Sequence, residues 1–248
     1  MVIDSHAHIL NADDAHLTAI LNAADRAGIN KICISSLSRE WVEFPSEAQL
    51  EEAAEDVLAA VERYPDRFVG FTYVSAQHVE KSIGLLERCN ANGPCQLVKL
   101  WISQFLDDPA LDPILDWAQA HDNAVMAHTF VKATGNMTCE STHHHAVRRA
   151  QRHPDLKLWI AHMSARWEEV ARVIKDYPNL CVDVSGGEPE EGSIRCMLKH
   201  IAPERIFFGS DIPGRSFIVQ KSKVHSADLP PEQERLILGE NVRRWLRV

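Results

Sequence analysis

The chain predicts an α/β fold, a single (β/α)8 TIM barrel of parallel strands with outer helices, running as one domain over residues 1–248. Three observations carry the prediction. Short β-rich apolar runs recur eight times, and their starts lie 23 to 37 residues apart, close to the ~30 that one strand, crossover helix and return require. Between the runs, apolar residues shift to helical spacing. Each run is too apolar to face water on either side, as strands between an inner core and a helical layer must be.

The runs fall at residues 2–8, 31–36, 68–75, 96–102, 124–129, 157–163, 180–185 and 206–211. After the first, Leu17, Ile20, Leu21 and Ala24 form a helical stripe, and Gly28 stands where a C′ glycine would end it. After the second, Ser46-Glu47-Ala48-Gln49 reads as a capping box. It opens a helix with the stripe Leu50, Ala53, Ala54, Val57, Leu58 and Val61. Further helices are expected at about 79–90, 110–121, 140–152, 166–176, 191–201 and 232–246. A Gly-rich phosphate loop is missing after the first run, which removes the usual sign of a nucleotide-binding open sheet, and no Ser/Gly/Pro-rich linker divides the chain.

Hydrophobic residues make up 45% and charged residues 25%, an ordinary globular composition that excludes disorder and fibres. The 26 basic residues against 35 acidic ones give −9, with no dense basic cluster, so nucleic acid and anionic membrane are not expected partners. The longest apolar stretches, such as 97–102 with Lys99 inside it, fall far short of the ~20 residues that span a bilayer. The opening residues lack a basic start and a continuous apolar stretch, which predicts a cytoplasmic location. The six cysteines (Cys33, Cys89, Cys95, Cys139, Cys181 and Cys196) are scattered without a CxxC pair and read as reduced thiols, mostly in the core.

Thirteen histidines are the unusual feature. His6 and His8 end the first run two residues apart, so their imidazoles face one side of a strand and can share a cation. His128 ends the fifth run, His162 the sixth and Asp211 the eighth. In a (β/α)8 barrel every strand points its C-terminal end at the same mouth, so these five groups are expected to converge there on a metal. Imidazole and carboxylate without clustered thiolate suit Zn2+, the default assignment, and equally Mn2+, Fe2+ or Co2+.

From Ile3-Asp4-Ser5-His6-Ala7-His8 to Gly239-Glu240-Asn241-Val242-Arg243-Arg244-Trp245-Leu246, the chain resembles the amidohydrolase superfamily, in its amidohydrolase-related ("amidohydrolase 2") branch of metal-dependent hydrolases. The HxH opening, His128, His162 and Phe208-Gly209-Ser210-Asp211 followed by Pro213 carry the resemblance. It implies that His6, His8, His128 and Asp211 hold the metal, and that His162 is either a ligand of a second metal or a catalytic base and substrate contact. Lys99 matches a position where some members carry a carboxylated lysine bridging two metals; as an ordinary ammonium it would bind an anionic substrate or neutralise a carboxylate. One metal is the expectation. Where relatives in this branch often have His after Lys-Leu, this chain has Trp101.

The first expectation is a hydrolase acting on a C–N or C–O bond of a small carbonyl compound: an amide, cyclic amide, lactone or ester. A bound cation brings water to a pKa near ~7. Asp211 is the candidate to take its proton and return it to the leaving group, while His162 stabilises charge on the carbonyl oxygen. The alternative, from the same branch, is a metal-dependent nonhydrolytic decarboxylase of an aromatic or unsaturated acid. A metal-binding barrel without turnover is a third reading, opposed by the intact ligand set. Lys99, Trp101 and Arg215 are candidates to contact a small-molecule substrate; Arg166 and Arg215 follow the sixth and eighth runs, each as an anion contact, a helix cap or a surface ion pair. His143-His144-His145 reads as the start of a helix rather than a separate metal site, since consecutive helical residues do not share a face. Trp117, Trp159, Trp167 and Trp245 are expected in the core, and Cys139 has no assigned role. Exposed helix faces leave a homodimer open.

Overall fold

The eight apolar runs form eight parallel strands in one sheet of sequential order. They are β1 (Ile3–His8), β2 (Lys31–Ser35), β3 (Phe68–Val74), β4 (Cys95–Leu100), β5 (Ala124–His128), β6 (Leu158–Ala161), β7 (Leu180–Asp183) and β8 (Ile206–Phe207). The computed structural model describes residues 1–91, 95–163, 166–187 and 190–246. The eighth strand is shorter than the expected 206–211 because the chain beyond Phe207 turns to meet β1. There Ser5 N–H donates to Phe208 O at 2.9 Å, Asp211 N–H to His6 O at 2.7 Å and His8 N–H to Ile212 O at 2.8 Å. These bonds close the barrel.

The helices follow in turn: α1 (Asp14–Ala27), α2 (Glu47–Arg63), α3 (Val79–Ala91), α4 (Asp112–Ala120), α5 (His143–Arg152), α6 (Trp167–Ile174) and α7 (Ser193–Met197). Gly28 ends α1 in the left-handed conformation, as its place in the sequence predicts. The capping box that opens α2 is present in both directions, Gln49 N–H to Ser46 Oγ and Ser46 N–H to Gln49 Oε1.

Two departures have physical causes. Helix α8 (Phe217–His225) shows no stripe in the sequence, because Ile218 and Val219 face solvent while Gln220 and Lys223 are buried beside Phe217 and Val224. The expected helix 232–246 is three pieces: α9 (Pro231–Arg235), a π-helical turn (Leu236–Glu240) and α10 (Asn241–Trp245). The break falls where Gly239 passes the first strand so closely that a Cβ there would sit 2.5 Å from Met1 O.

Two apolar layers result. Inside the barrel Ile3, Phe71, Leu97, Met126, Trp159 and Phe207 pack together, and Trp245 from α10 stands edge-on to Phe207 at 5.2 Å, plugging this layer. Outside, the strands' other faces meet the helical stripes. Each buried Leu, Ile or Phe contributes ~1.5–3 kcal/mol. A register shift between Asp4 and Ala7 changes the parity of β1. Ile3 therefore faces the inner layer while His6 and His8, of the opposite parity, also face inward above it. Among the described residues no helix is long and apolar enough to cross a membrane.

Candidate metal centre

The five residues expected at the mouth do meet. His6 Nε2 lies 3.2 Å from His8 Nε2, and Asp211 Oδ1 lies 3.5 Å from His8 Nε2 and 3.8 Å from His6 Nε2. His6, His162 and Asp211 also bring one donor atom each within 4.8 Å of one another. His128 enters beside them, its Nδ1 3.2 Å from His162 Nε2.

The second nitrogen of every ring is held by an oxygen. His6 Nδ1 donates to Asp183 Oδ2 at 3.0 Å and His128 Nε2 to Glu140 Oε1 at 2.9 Å. His8 Nδ1 is bonded to Ser35 Oγ at 2.8 Å and His162 Nδ1 to Ser185 Oγ at 3.0 Å. One nitrogen turned to the cluster and the other tied behind it is how ligand imidazoles are oriented and tautomerically fixed. None of these four oxygen partners is anticipated by the sequence. Asp183 carries a usable signal, a polar residue ending an apolar run; Glu140 arrives from the β5–α5 loop, which has none.

Two of the site residues adopt left-handed backbone, His162 with φ 74° and Asp211 with φ 62°. Without that turn, the side chain after inward-facing Ala161 would point outward. Gly186 packs against the His162 ring; its φ is +61°, and a Cβ there would lie 2.4 Å from His162 Nδ1.

Burial, reinforced by the charge of Lys99, pushes His6 down to about 3, and burial likewise lowers His8 and brings His128 to about 4. Neutral imidazoles are the form that binds a cation. Burial would raise the Asp211 carboxyl, but the hydrogen bond from His8 and the neighbouring His162 and His6 hold it well below the usual carboxylate range. Burial opposes ionisation of Asp183 too, and His6, His162 and the Ser185 hydroxyl together outweigh it and hold the carboxyl well below the usual carboxylate range. Lys99 is fully buried with Nζ 3.2 Å from His6 Nε2; burial draws it down to about 8 against the pull of Asp211 and Asp183. The donor set fits a divalent metal: neutral nitrogens and an ionised carboxylate, at separations near the ~3.3 Å edge of a tetrahedron with ~2.0–2.1 Å bonds.

Trp101 is half-buried and stands edge-on to Trp41 at 6.3 Å, and Trp41 in turn lies edge-on to His8 at 5.1 Å. Phe130 lies 5.6 Å from the His162 ring on another side of the cluster. Trp41 and Phe130 are walls that the sequence does not announce. Arg215 is exposed, donates to Gly214 O, and borders a cavity of about 190 Å³ that Phe130, Met163, Trp167 and Ser185 also line. Its backbone N–H donates to Asp211 O at 3.1 Å, and its guanidinium is bonded to Gly214 O rather than to the donor side chains. Arg166 pairs with Glu169, 3.2 Å away, at the start of α6. Trp159 is in the core as expected, its Nε1 donating to Asp183 Oδ2, whereas Trp117, Trp167 and Trp245 are only partly buried. All six cysteines are free thiols, four of them buried.

The Amidohydrolase family model matches residues 3–248. The chain belongs to the amidohydrolase family. No curated protein sequence matches it. Among solved structures, it is similar to 5-carboxyvanillate decarboxylase from Sphingomonas paucimobilis, with TM-score 0.79, 16% identity, and coverage of 100% of this chain and 99% of that one. It is also similar to a dihydroxybenzoic acid decarboxylase from Polaromonas sp. JS666, with bound manganese and the inhibitor 2-nitroresorcinol (TM-score 0.81, 17% identity, 98% and 96% covered). A third is 4-oxalomesaconate hydratase from Rhodopseudomonas palustris (TM-score 0.72, 16% identity, 99% and 95% covered). At these identities the likeness establishes the amidohydrolase barrel and no particular reaction.

Proposed function

We propose that this amidohydrolase-family enzyme is a metal-dependent decarboxylase of a small aromatic or unsaturated acid. The observation that carries the reading is a metal-type donor cluster flanked by aromatic rings: Trp41 beside His8, Trp101 beyond it and Phe130 against His162. Flat walls suit a planar conjugated substrate, and they matter less for a small aliphatic amide or lactone. Among the described residues the buried Trp41 indole N–H has no hydrogen-bond partner, a donor that a substrate oxygen would satisfy. The decarboxylases among the structural neighbours, one with manganese bound, support the same reading. Hydrolysis, the first expectation from sequence, becomes the alternative.

His6 and Asp211, with His8 beside them and His128 reaching in past His162, would hold one divalent cation, Zn2+ or Mn2+; His162, whose donor also lies within 4.8 Å of theirs, would stand next to it. When bound, the cation supplies positive charge that anchors the substrate's oxygens and stabilises negative charge developing on it. The chain's own groups do the rest. Lys99 adds a cationic charge from below, and Trp41 and Phe130 orient the ring. Asp211, ionised and partly open to solvent, accepts a proton from solvent and passes it to the carbon that bears the carboxylate. The carbon–carbon bond then breaks, its electron pair restores the conjugated system and carbon dioxide leaves. His162, its Nδ1 held by Ser185 Oγ, presents Nε2 beside the cluster and positions the substrate there.

The test is a panel of hydroxybenzoic and unsaturated dicarboxylic acids incubated with metal-loaded enzyme in 18O-labelled water. Release of carbon dioxide with one solvent proton and no labelled oxygen in the organic product is the expected result. Turnover of amides, lactones or esters with label incorporation, and none of the acids, would overturn it.

A further inference from the structure

Outside the barrel centre, the run His143-His144-His145 opens α5, as the sequence predicts, but two of its rings meet a common partner. His145 turns back to its own helix start, where Nδ1 accepts from Thr142 N–H at 3.0 Å, and it stacks on Phe105 at 4.6 Å. His143 and His144, although consecutive, both reach one atom of the next helix. His143 Nε2 and His144 Nε2 each lie 3.3 Å from Glu169 Oε1. They can do so because they occupy the first two positions of α5, where the chain has only begun to coil, and because Glu169 stands in the first turn of α6 alongside.

We propose that His143, His144 and Glu169 form a second transition-metal site, separate from the barrel centre, that takes Zn2+ or a similar borderline divalent cation with a remaining position for water. Three observations meet here. The three donors lie within 4.8 Å of one another. Both nitrogen-to-oxygen separations equal the ~3.3 Å edge of a tetrahedron built on ~2.0–2.1 Å bonds. The donor types, two imidazoles and one carboxylate, are a recognised zinc set that leaves the fourth position open. His143 is buried, so its ring is already fixed, whereas His144 and Glu169 are open enough for an ion to enter. Arg166 binds the other carboxylate oxygen, Oε2, at 3.2 Å, leaving Oε1 to the imidazoles. Its charge and the positive end of α5 oppose a cation. The site is therefore weaker than the barrel centre and separable from it by titration.

Without metal the same contacts are two imidazoles hydrogen-bonded to one carboxylate oxygen, so the experiment must separate the two readings. Full-length protein with the barrel centre filled is titrated with Zn2+ by calorimetry, beside His144→Ala and Glu169→Gln. The expected result is one further equivalent in the wild type, weakened about 10-fold or more in each variant. The same equivalent should persist in His6→Ala/His8→Ala protein, which reports failure of the barrel centre independently. No further equivalent in the wild type, or one that both variants retain unchanged, would overturn the proposal. His144 is half-exposed and Glu169 is at the surface, so both variants should fold; their circular dichroism and melting temperatures check this.

Discussion

Asp211 and Gly186 show how much of the centre hangs on single side chains. Asp211 combines an ionised carboxylate, three imidazole neighbours and partial access to solvent, the conditions for moving a proton. Asp211→Asn keeps the size and loses the proton site, so kcat should fall ~10²–10⁴-fold with circular dichroism unchanged. Near-wild-type turnover in that variant would remove Asp211 from the chemistry. Gly186→Ala acts through a neighbour. The new methyl would enter the His162 ring and occupy left-handed backbone, which costs about 1–2 kcal/mol. A displaced His162 should lower kcat about 100-fold while the protein still folds, read as a kinetic loss much larger than the change in melting temperature.

Among the helices, α5 is tied to the preceding segment by a buried cation. Arg149 is fully buried; Nε donates to Leu106 O at 2.8 Å, Nη2 to Asp108 O at 2.7 Å, and Nη1 pairs with Asp112 on α4. Burial would raise Asp112, but Arg149, Arg152 and His153 together hold its carboxyl below the ordinary value. A depressed carboxylate stabilises the fold above its unfolded pKa of ~3.9, and the contribution is lost as pH falls through the folded value. Asp112→Asn should therefore destabilise the protein at pH 7 by about 1–2 kcal/mol, less than a fully buried pair because Asp112 is a third exposed. The difference from wild type should shrink at pH 3. Urea midpoints at the two pH values check it, and a pH-independent difference would mean that packing rather than charge ties α4 to α5.

Over the whole molecule, a cation at the mouth would join β1, β5, β6 and the turn after β8, including the seam where the barrel closes. Binding to the folded state alone stabilises it by ~2.7 kcal/mol at 100 times Kd. For a chain of 248 residues that corresponds to about 5–10 °C in Tm. Chelation should lower Tm by that amount and readdition of Zn2+ or Mn2+ should restore it. A melting temperature indifferent to chelator would count against a barrel-centre metal.

The sequence by itself determined the strand count, the parallel order and the candidate donors that gather at the mouth, because local rules act within one element. Alternation along β1 puts His6 and His8 on one face, and a polar residue ending an apolar run marks His128, His162 and Asp211. Only the tertiary structure decided what those residues meet. Glu140 reaches His128 from a loop, Ser35 and Ser185 come from neighbouring strand ends, and Trp41 comes from the β2–α2 connection. No spacing rule relates such positions, since loop paths depend on contacts made far away in the chain. The same holds for α8, whose buried face is partly polar, and for the break at Gly239, imposed by the first strand passing beneath it. His143 and His144 follow the same logic. Helical periodicity separates them, and only the arrival of Glu169 from the next helix brings both to one oxygen.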